Sequence, residues 1–420
     1  MKHLEVTQQI PVCGEYDVIV AGGGLAGAAA AVSAARAGLS VLLLEKTVAL
    51  GGLATIGLIN FFVPMCNGRG RQIIRGMAEE LLQLSVSCGY DTLPPEWREG
   101  EPQAPTNTRY VTHYSAPILM LLLTKWVKDA GVDLMFDTAV SCPIMDGNMC
   151  RGLITENKSG TEFYAARFVI DCTGDADVLR RAGVPTVQGK NYHTYIARGT
   201  DLDAMRRAVD ANDVARMFRD FTGGSANLYG GGHPEGKSYW KGTDGRDVTA
   251  YFIENQLELL AKLKQQPRSQ RDVLILPMMP QLRTTCHIAG EYALQPEDAY
   301  RHFADSVCVI NDFDRRDYLY EVPLRTLCCR DFPNLITAGR SAAADGYAWD
   351  VLRVIPPAIL TGQAAGLVCA HAMREGCGVA EVDIGKLQAA LEAADVMVHF
   401  DDRLIPDGHQ GGERADVGHL

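Results

Sequence analysis

Gly22, Gly24 and Gly27 are spaced as GxGxxG between the β-branched residues 16–20 and the alanine-rich residues 28–38. Such spacing suits a dinucleotide: one glycine makes the turn, one lets backbone approach a pyrophosphate, and one lets the helix pack closely. Glu45 ends the next apolar run, LSVLLLEK, where a carboxylate can accept hydrogen bonds from both hydroxyls of a ribose. A glycine turn without a ligand would leave that acid to coincidence. Thr173 and Gly174 follow another strand-like run, and so does Gly339, which puts both turns at the carboxyl edge of a parallel sheet, where such folds bind ligands. Pro356 and Pro357 suit the first turn of a helix, whose earliest amides have no partner within the helix and need an acceptor.

A strand, a tight turn and a helix must position these glycines, with Gly38 ending the helix. Residues 39–46 then read as a strand buried on both faces of a parallel sheet, completing a βαβ unit. Further on, the sequence predicts a helix near residues 72–84 and a surface excursion over the Pro- and Glu-rich residues 92–106. A helix capped by Ser115 and ended by Gly131 is followed by a strand over residues 132–140. Two more strands, 149–156 and 162–170, flank a turn at Ser159 and Gly160. Residues 191–306 mix helix and polar loop, and strand character returns at 334–338. The expected fold class is α/β: a Rossmann-like domain with a parallel sheet, discontinuous over residues 1–188 and 307–400. An α+β substrate or cap domain is inserted at 189–306, and residues 401–420 are expected to form a mobile tail.

Fifty-one acidic residues against forty basic ones give a net charge of −11, which argues against a nucleic-acid partner. The longest apolar runs fall well short of the roughly 20 residues of a membrane span, and residues 1–12 lack the pattern of a signal peptide, so no membrane partner and a cytoplasmic location are expected. Twelve scattered cysteines without a CxxC pair read as reduced thiols, and no metal site is expected.

AGGGLAG, LLLEK, GGLAT, DCTGD, TAGRS and TGQAAG, in this order over about 400 residues, resemble the FAD-dependent oxidoreductase family of glutathione-reductase-like flavoproteins, related to fumarate reductase flavoprotein subunits. The resemblance implies noncovalent FAD. Its pyrophosphate would sit on the helix starting near Gly24 and Ala26, its ribose at Glu45 and Lys46, and its central portion near Gly51, Gly52, Leu53 and Ala54. Val140 would hold the adenine through its backbone. Thr173, Gly174 and Asp175 would pass the cofactor, and Gly339 with Arg340 would return the chain to it. The helix start at Pro356 and Pro357 would face the isoalloxazine C2 carbonyl, with Arg353 adding positive charge there or forming a salt bridge elsewhere.

The resemblance also implies a site lined by an arginine and its neighbours in PQLRTTCHIAGEY. Arg283 is the candidate anchor for an anionic substrate oxygen and His287 the candidate proton carrier, with Tyr347 behind it. A structural ion pair and a satisfied core histidine are the equal alternatives for the first two. His193 and Arg325 rank lower. The expected activity is hydride transfer between flavin N5 and a small polar organic substrate, with the electron acceptor or donor unspecified and homo-oligomerisation open. An FAD-containing electron-transfer subunit is the alternative, and a thiazole-synthase-like sulfur-transfer protein a lesser one. A pyridine-nucleotide disulfide reductase is disfavoured because a second GxGxxG unit and a CxxC are both missing.

Overall fold

The computed structural model describes residues 4–407, so residues 408–420 of the expected tail lie outside the described residues. Strand β1 (Val12–Ala21) enters from the surface and becomes fully buried from Val18 onward. It leads through the glycine turn into helix α1 (Leu25–Arg36) and on to β2 (Val41–Leu44), every residue of which is buried. Five strands run parallel, in the order Asp133–Met135, β2, β1, Gly160–Asp171 and Leu335–Thr337.

The long strand Gly160–Asp171 changes partner along its length. Its first half pairs antiparallel with Met149–Asn157, whereas Val169–Asp171 pair with Leu335–Thr337. Chain from either side of the central segment thus meets on one strand. The segment expected as a single strand over 132–140 is broken: Asp137 takes φ 49°, and a second strand, Ala139–Asp146, starts in the antiparallel direction. The helix expected near 72–84 starts only at Met77, after Gly76 at φ 60°. Ser115 precedes its helix without a side-chain cap bond. Nor is 92–106 wholly superficial, because Trp97 is buried and stacked on Tyr110 at 4.6 Å.

Helix Ile355–Glu375 crosses α1 at very short range. A Cβ on Gly362 would stand 2.2 Å from the Ala26 carbonyl oxygen, and one on Gly366 would stand 2.5 Å from that of Ala30. The TGQAAG run is therefore a packing surface for the alanines of α1. Ser33 adds a hydrogen bond from its Oγ to the Gln363 carbonyl at 2.7 Å. Among the described residues no single helix is long and apolar enough to cross a membrane; the apolar pair Gly346–Leu352 and Ile355–Glu375 is bent by 78°.

The middle of the chain builds a three-stranded antiparallel sheet, Arg219–Ser225, Thr194–Asp201 and Arg271–Ile275, under helix Gly245–Lys264. It has its own apolar cluster, including Tyr195, Phe221, Trp240, Tyr251 and Leu282.

Candidate active site

A cavity of about 670 Å³ opens between the parallel sheet and this second unit. Its first wall is the glycine turn. Gly22 takes φ 102°, its N–H donates to the Leu44 carbonyl at 2.8 Å, and a Cβ there would strike the Cys172 carbonyl oxygen at 2.4 Å. Gly27 does not line the cavity. A Cβ on it would lie 1.8 Å from the Gly22 carbonyl oxygen, so it serves helix packing. Gly24 does line it and precedes the first residue of α1, and its missing Cβ faces no protein atom within 4 Å. No acid occupies the first turn of that helix. The arrangement is a cradle for an anionic group at a positive helix end.

Glu45 is buried and fixed: its carboxylate accepts from Gly23 N at 2.7 Å and Thr47 N at 2.8 Å. Each oxygen retains acceptor capacity for a further donor. Lys46 stands beside it on the wall, and Ala26 lies close to Gly24. Gly51 and Gly52 take φ 99° and 55°, which brings Leu53 and Ala54 round to the same wall; Gly51 N donates to the Gly23 carbonyl at 2.8 Å. Val140 completes this end, its carbonyl accepting from Arg181 at 2.7 Å.

Opposite these, Asp171 is buried at the end of its strand and accepts from Thr173 N and Oγ1 and from Leu179 N. It shapes the turn through Thr173, Gly174 and Asp175, all on the cavity wall. Arg340 reaches across to Asp175 at 2.9 Å and also donates to the Leu282 carbonyl. Burial raises the Asp175 carboxyl above its ordinary range, against the pull of Arg340. Gly339 lines the cavity at φ 73°. Val354 and Ile355, where the late helix begins, also line it, but Pro356 and Pro357 carry no N–H, so Ile355 alone among the first three helical residues offers an amide. The helix end is weaker as an anion site than two further free amides would make it.

Arg353 lines the same region and is held by Asp350 through Nε and Nη2 at 2.8 and 2.6 Å. Arg283 stands near it, half-buried, donating to the Asn227 carbonyl at 2.9 Å and the Ala226 carbonyl at 3.5 Å. Burial, and next the charge of Arg353, lower its pKa to about 10, so it remains a cation at neutral pH. Among the described residues no carboxylate forms a salt bridge with it.

The two candidate proton carriers are elsewhere. His287 is buried in the strand Cys286–Ile288, edge-on to Trp349 at 4.5 Å, with Nδ1 against the Ile288 carbonyl at 2.6 Å and no partner for Nε2. Tyr347 donates to Asp312 at 2.8 Å and is absent from the cavity wall. Of the lesser candidates, His193 meets Glu258 at 3.2 Å and Arg325 meets Asp305 at 3.4 Å.

Sequence reasoning missed the wall formed by Met278, Met279, Pro280 and Gln281, and the apolar side chains of Ile56, Ile59, Phe61, Val63 and Ile196. Gln281 is the fastener. Its Nε2 donates to the carbonyls of Gly57 and Ile196 at 2.8 and 2.9 Å, and its Oε1 accepts from Ile196 N at 2.6 Å. The PQLR run signalled only its arginine.

A family model described as FAD dependent oxidoreductase matches residues 17–228 and 243–391. The chain belongs to this family. The family is one of FAD-dependent oxidoreductases. It is similar to the digeranylgeranylglycerophospholipid reductase of Methanoculleus marisnigri, 28% identical over 201 residues that make 45% of this chain and 47% of that protein. The chain thus spans about half the length of the curated relatives it matches. A shorter match, 36% over 76 residues, joins 18% of the chain to 25% of a thioredoxin reductase from Ureaplasma parvum. Among solved structures, a geranylgeranyl bacteriochlorophyll reductase-like protein from Thermoplasma acidophilum aligns with 93% of this chain and 94% of its own, at 14% identity and a TM-score of 0.43.

Proposed function

We propose that this oxidoreductase transfers a hydride between the flavin and a small polar organic substrate carrying an anionic oxygen, with Arg283 as its anchor. The observation that carries this reading is a cavity-lining cation without a salt bridge among the described residues. A half-buried guanidinium whose hydrogen bonds go only to carbonyls, with Asp350 acting from a distance and already bonded to Arg353, has donors suited to a substrate oxyanion or carboxylate. Arg353, equally close to the cavity, already has Asp350.

FAD supplies two-electron chemistry at its isoalloxazine ring; binding, orientation and charge are left to the chain. The open face of Gly24 and the helix end behind it suit the pyrophosphate, and Glu45, fixed by Gly23 and Thr47, suits the ribose. Gly22 and Gly52 keep backbone close enough for that ligand, and Gly27 lets α1 pack against the turn that holds it. The discontinuous FAD-binding unit, residues 1–188 with 307–400, and the cap at 189–306 follow from this assignment. With His287 and Tyr347 away from the wall, the proton is assigned to solvent entering with the substrate. FAD is held without a covalent bond.

An anaerobic screen of small organic acids and alcohols, followed by flavin bleaching, tests the proposal. Bleaching by an anionic compound in wild type and its loss in Arg283→Ala, with FAD still bound, are expected. If only a partner protein reduces or oxidises the flavin, the electron-transfer reading replaces this one.

A further inference from the structure

Away from the cavity, His302, Glu321 and His399 converge with donor atoms within 4.8 Å of one another. Glu321 lies in the strand Leu319–Pro323 and is fully buried, while the two histidine side chains are 45% and 42% exposed. His302 Nδ1 meets Glu321 Oε1 at 2.6 Å, and His399 Nδ1 meets Oε2 at 3.0 Å. The Phe303 amide fixes the carboxylate from its own side at 2.7 Å.

We propose that these three side chains bind one Zn(II)-type transition-metal ion. Two imidazoles and one carboxylate are the borderline donors such an ion takes, and the exposed side leaves room for water as a fourth ligand. A tetrahedral ion about 2.1 Å from each donor needs donors roughly 3.4 Å apart. The 2.6 and 3.0 Å contacts, which reach different carboxylate oxygens, must open by less than about 1 Å, and the widest donor pair, within 4.8 Å, must close by at most about 1.4 Å.

The surroundings are those of a ligand shell. The outer nitrogen of His302, Nε2, meets Asp402 Oδ1 at 2.9 Å, giving the carboxylate–histidine–metal order that fixes tautomer and ring orientation. Phe400 stacks on His302 at 4.3 Å, and the Gln388 amide meets His399 Nε2 at 3.2 Å. None of these residues lines the flavin cavity. Its role is a staple: the ion ties residues 399–402 to the Leu319–Pro323 strand. Just before them the Met397 carbonyl accepts at 2.6 Å from Val309 N in the strand Ser306–Asn311, which pairs with Leu319–Pro323.

The test is titration of the full chain, FAD-loaded and stripped with a chelator, with zinc chloride by calorimetry and cobalt chloride by visible absorption. Expected are one ion per chain, a higher thermal midpoint with zinc, and tetrahedral-type Co(II) bands. His399→Ala should abolish stoichiometric binding while leaving the flavin spectrum intact, and Asp402→Asn should weaken it roughly 10–100-fold. Should His399→Ala not fold, His302→Gln gives the second measure. No stoichiometric uptake by wild type, or undiminished uptake by both folded variants, would overturn the site and leave a plain hydrogen-bonded cluster.

Discussion

An arginine held by two carbonyls keeps its full charge, so its energetic weight appears only when an anion arrives. If that anion gains charge in the transition state, loss of Arg283 removes a donor of a kind worth about 2.7–4 kcal/mol. Arg283→Ala should therefore lower turnover by about a hundredfold or more, with the flavin absorption unchanged; wild-type turnover would exclude it from the site. His287 behaves differently. Its lone pair at Nε2 has no partner, and burial lowers its pKa below the ordinary value, so the folded protein keeps it neutral. The unfolded chain takes up a proton near pH 6.5 and the folded one only at lower pH. Stability from this group is present above about pH 6.5 and is lost as pH falls toward the folded pKa. Thermal midpoints measured from pH 7.5 to 5 should fall less steeply in His287→Asn than in wild type, and parallel slopes would refute the assignment. The turn at Gly22 and Gly24 and the strand end at Glu45, which line the cavity, were legible because turn geometry and strand ends are local properties. His287 was not, because what removes it from the cavity is Trp349, far along the chain.

At the scale of elements, three glycines of similar sequence context do different work. A Cβ on Gly24 meets open cavity, whereas one on Gly27 or Gly362 meets a backbone carbonyl at 1.8 or 2.2 Å. Gly24→Val should fold with a wild-type circular dichroism spectrum and bind no FAD. Gly362→Ala should instead cost about 1–3 kcal/mol through overpacking against α1, while Gly385→Ala, with only Asp383 Oδ1 nearby at 3.5 Å, serves as the neutral helix control. Equal midpoints for the two alanine variants would show that the helix crossing yields freely. The βαβ start and the late strand at 335–337 could be read from apolar runs and glycine punctuation. The break at Asp137 could not, since no residue there demands φ 49°; the change from parallel to antiparallel pairing is made by tertiary packing. Likewise, the prolines at 356 and 357 correctly marked a helix start, yet the same residues remove amides that a cofactor would use. The ligand cluster at 302, 321 and 399 has no spacing pattern because three separate segments deliver it.

For the molecule as a whole, the cavity is a junction. Its walls come from the glycine turn, the Gly51–Gly52 loop, the turn after Asp171, the strand Thr194–Asp201, the Met278–Arg283 run and the start of the late helix. The unfolded chain presents none of these together, so FAD placed in this cavity, as proposed, would bind the folded state alone and stabilise it by mass action, about 4.1 kcal/mol at a thousandfold excess over Kd. Stripped protein should therefore unfold at a lower temperature than holoprotein, with a midpoint that climbs as FAD is added back. Gly24→Val provides the decisive comparison, because its Cβ would enter the cavity with no protein atom within 4 Å: its midpoint should match that of stripped wild type and ignore added FAD. A wild-type midpoint independent of FAD would mean that FAD does not bind the folded protein in preference to the unfolded chain. A variant that still responds to FAD would move the pyrophosphate away from the start of α1.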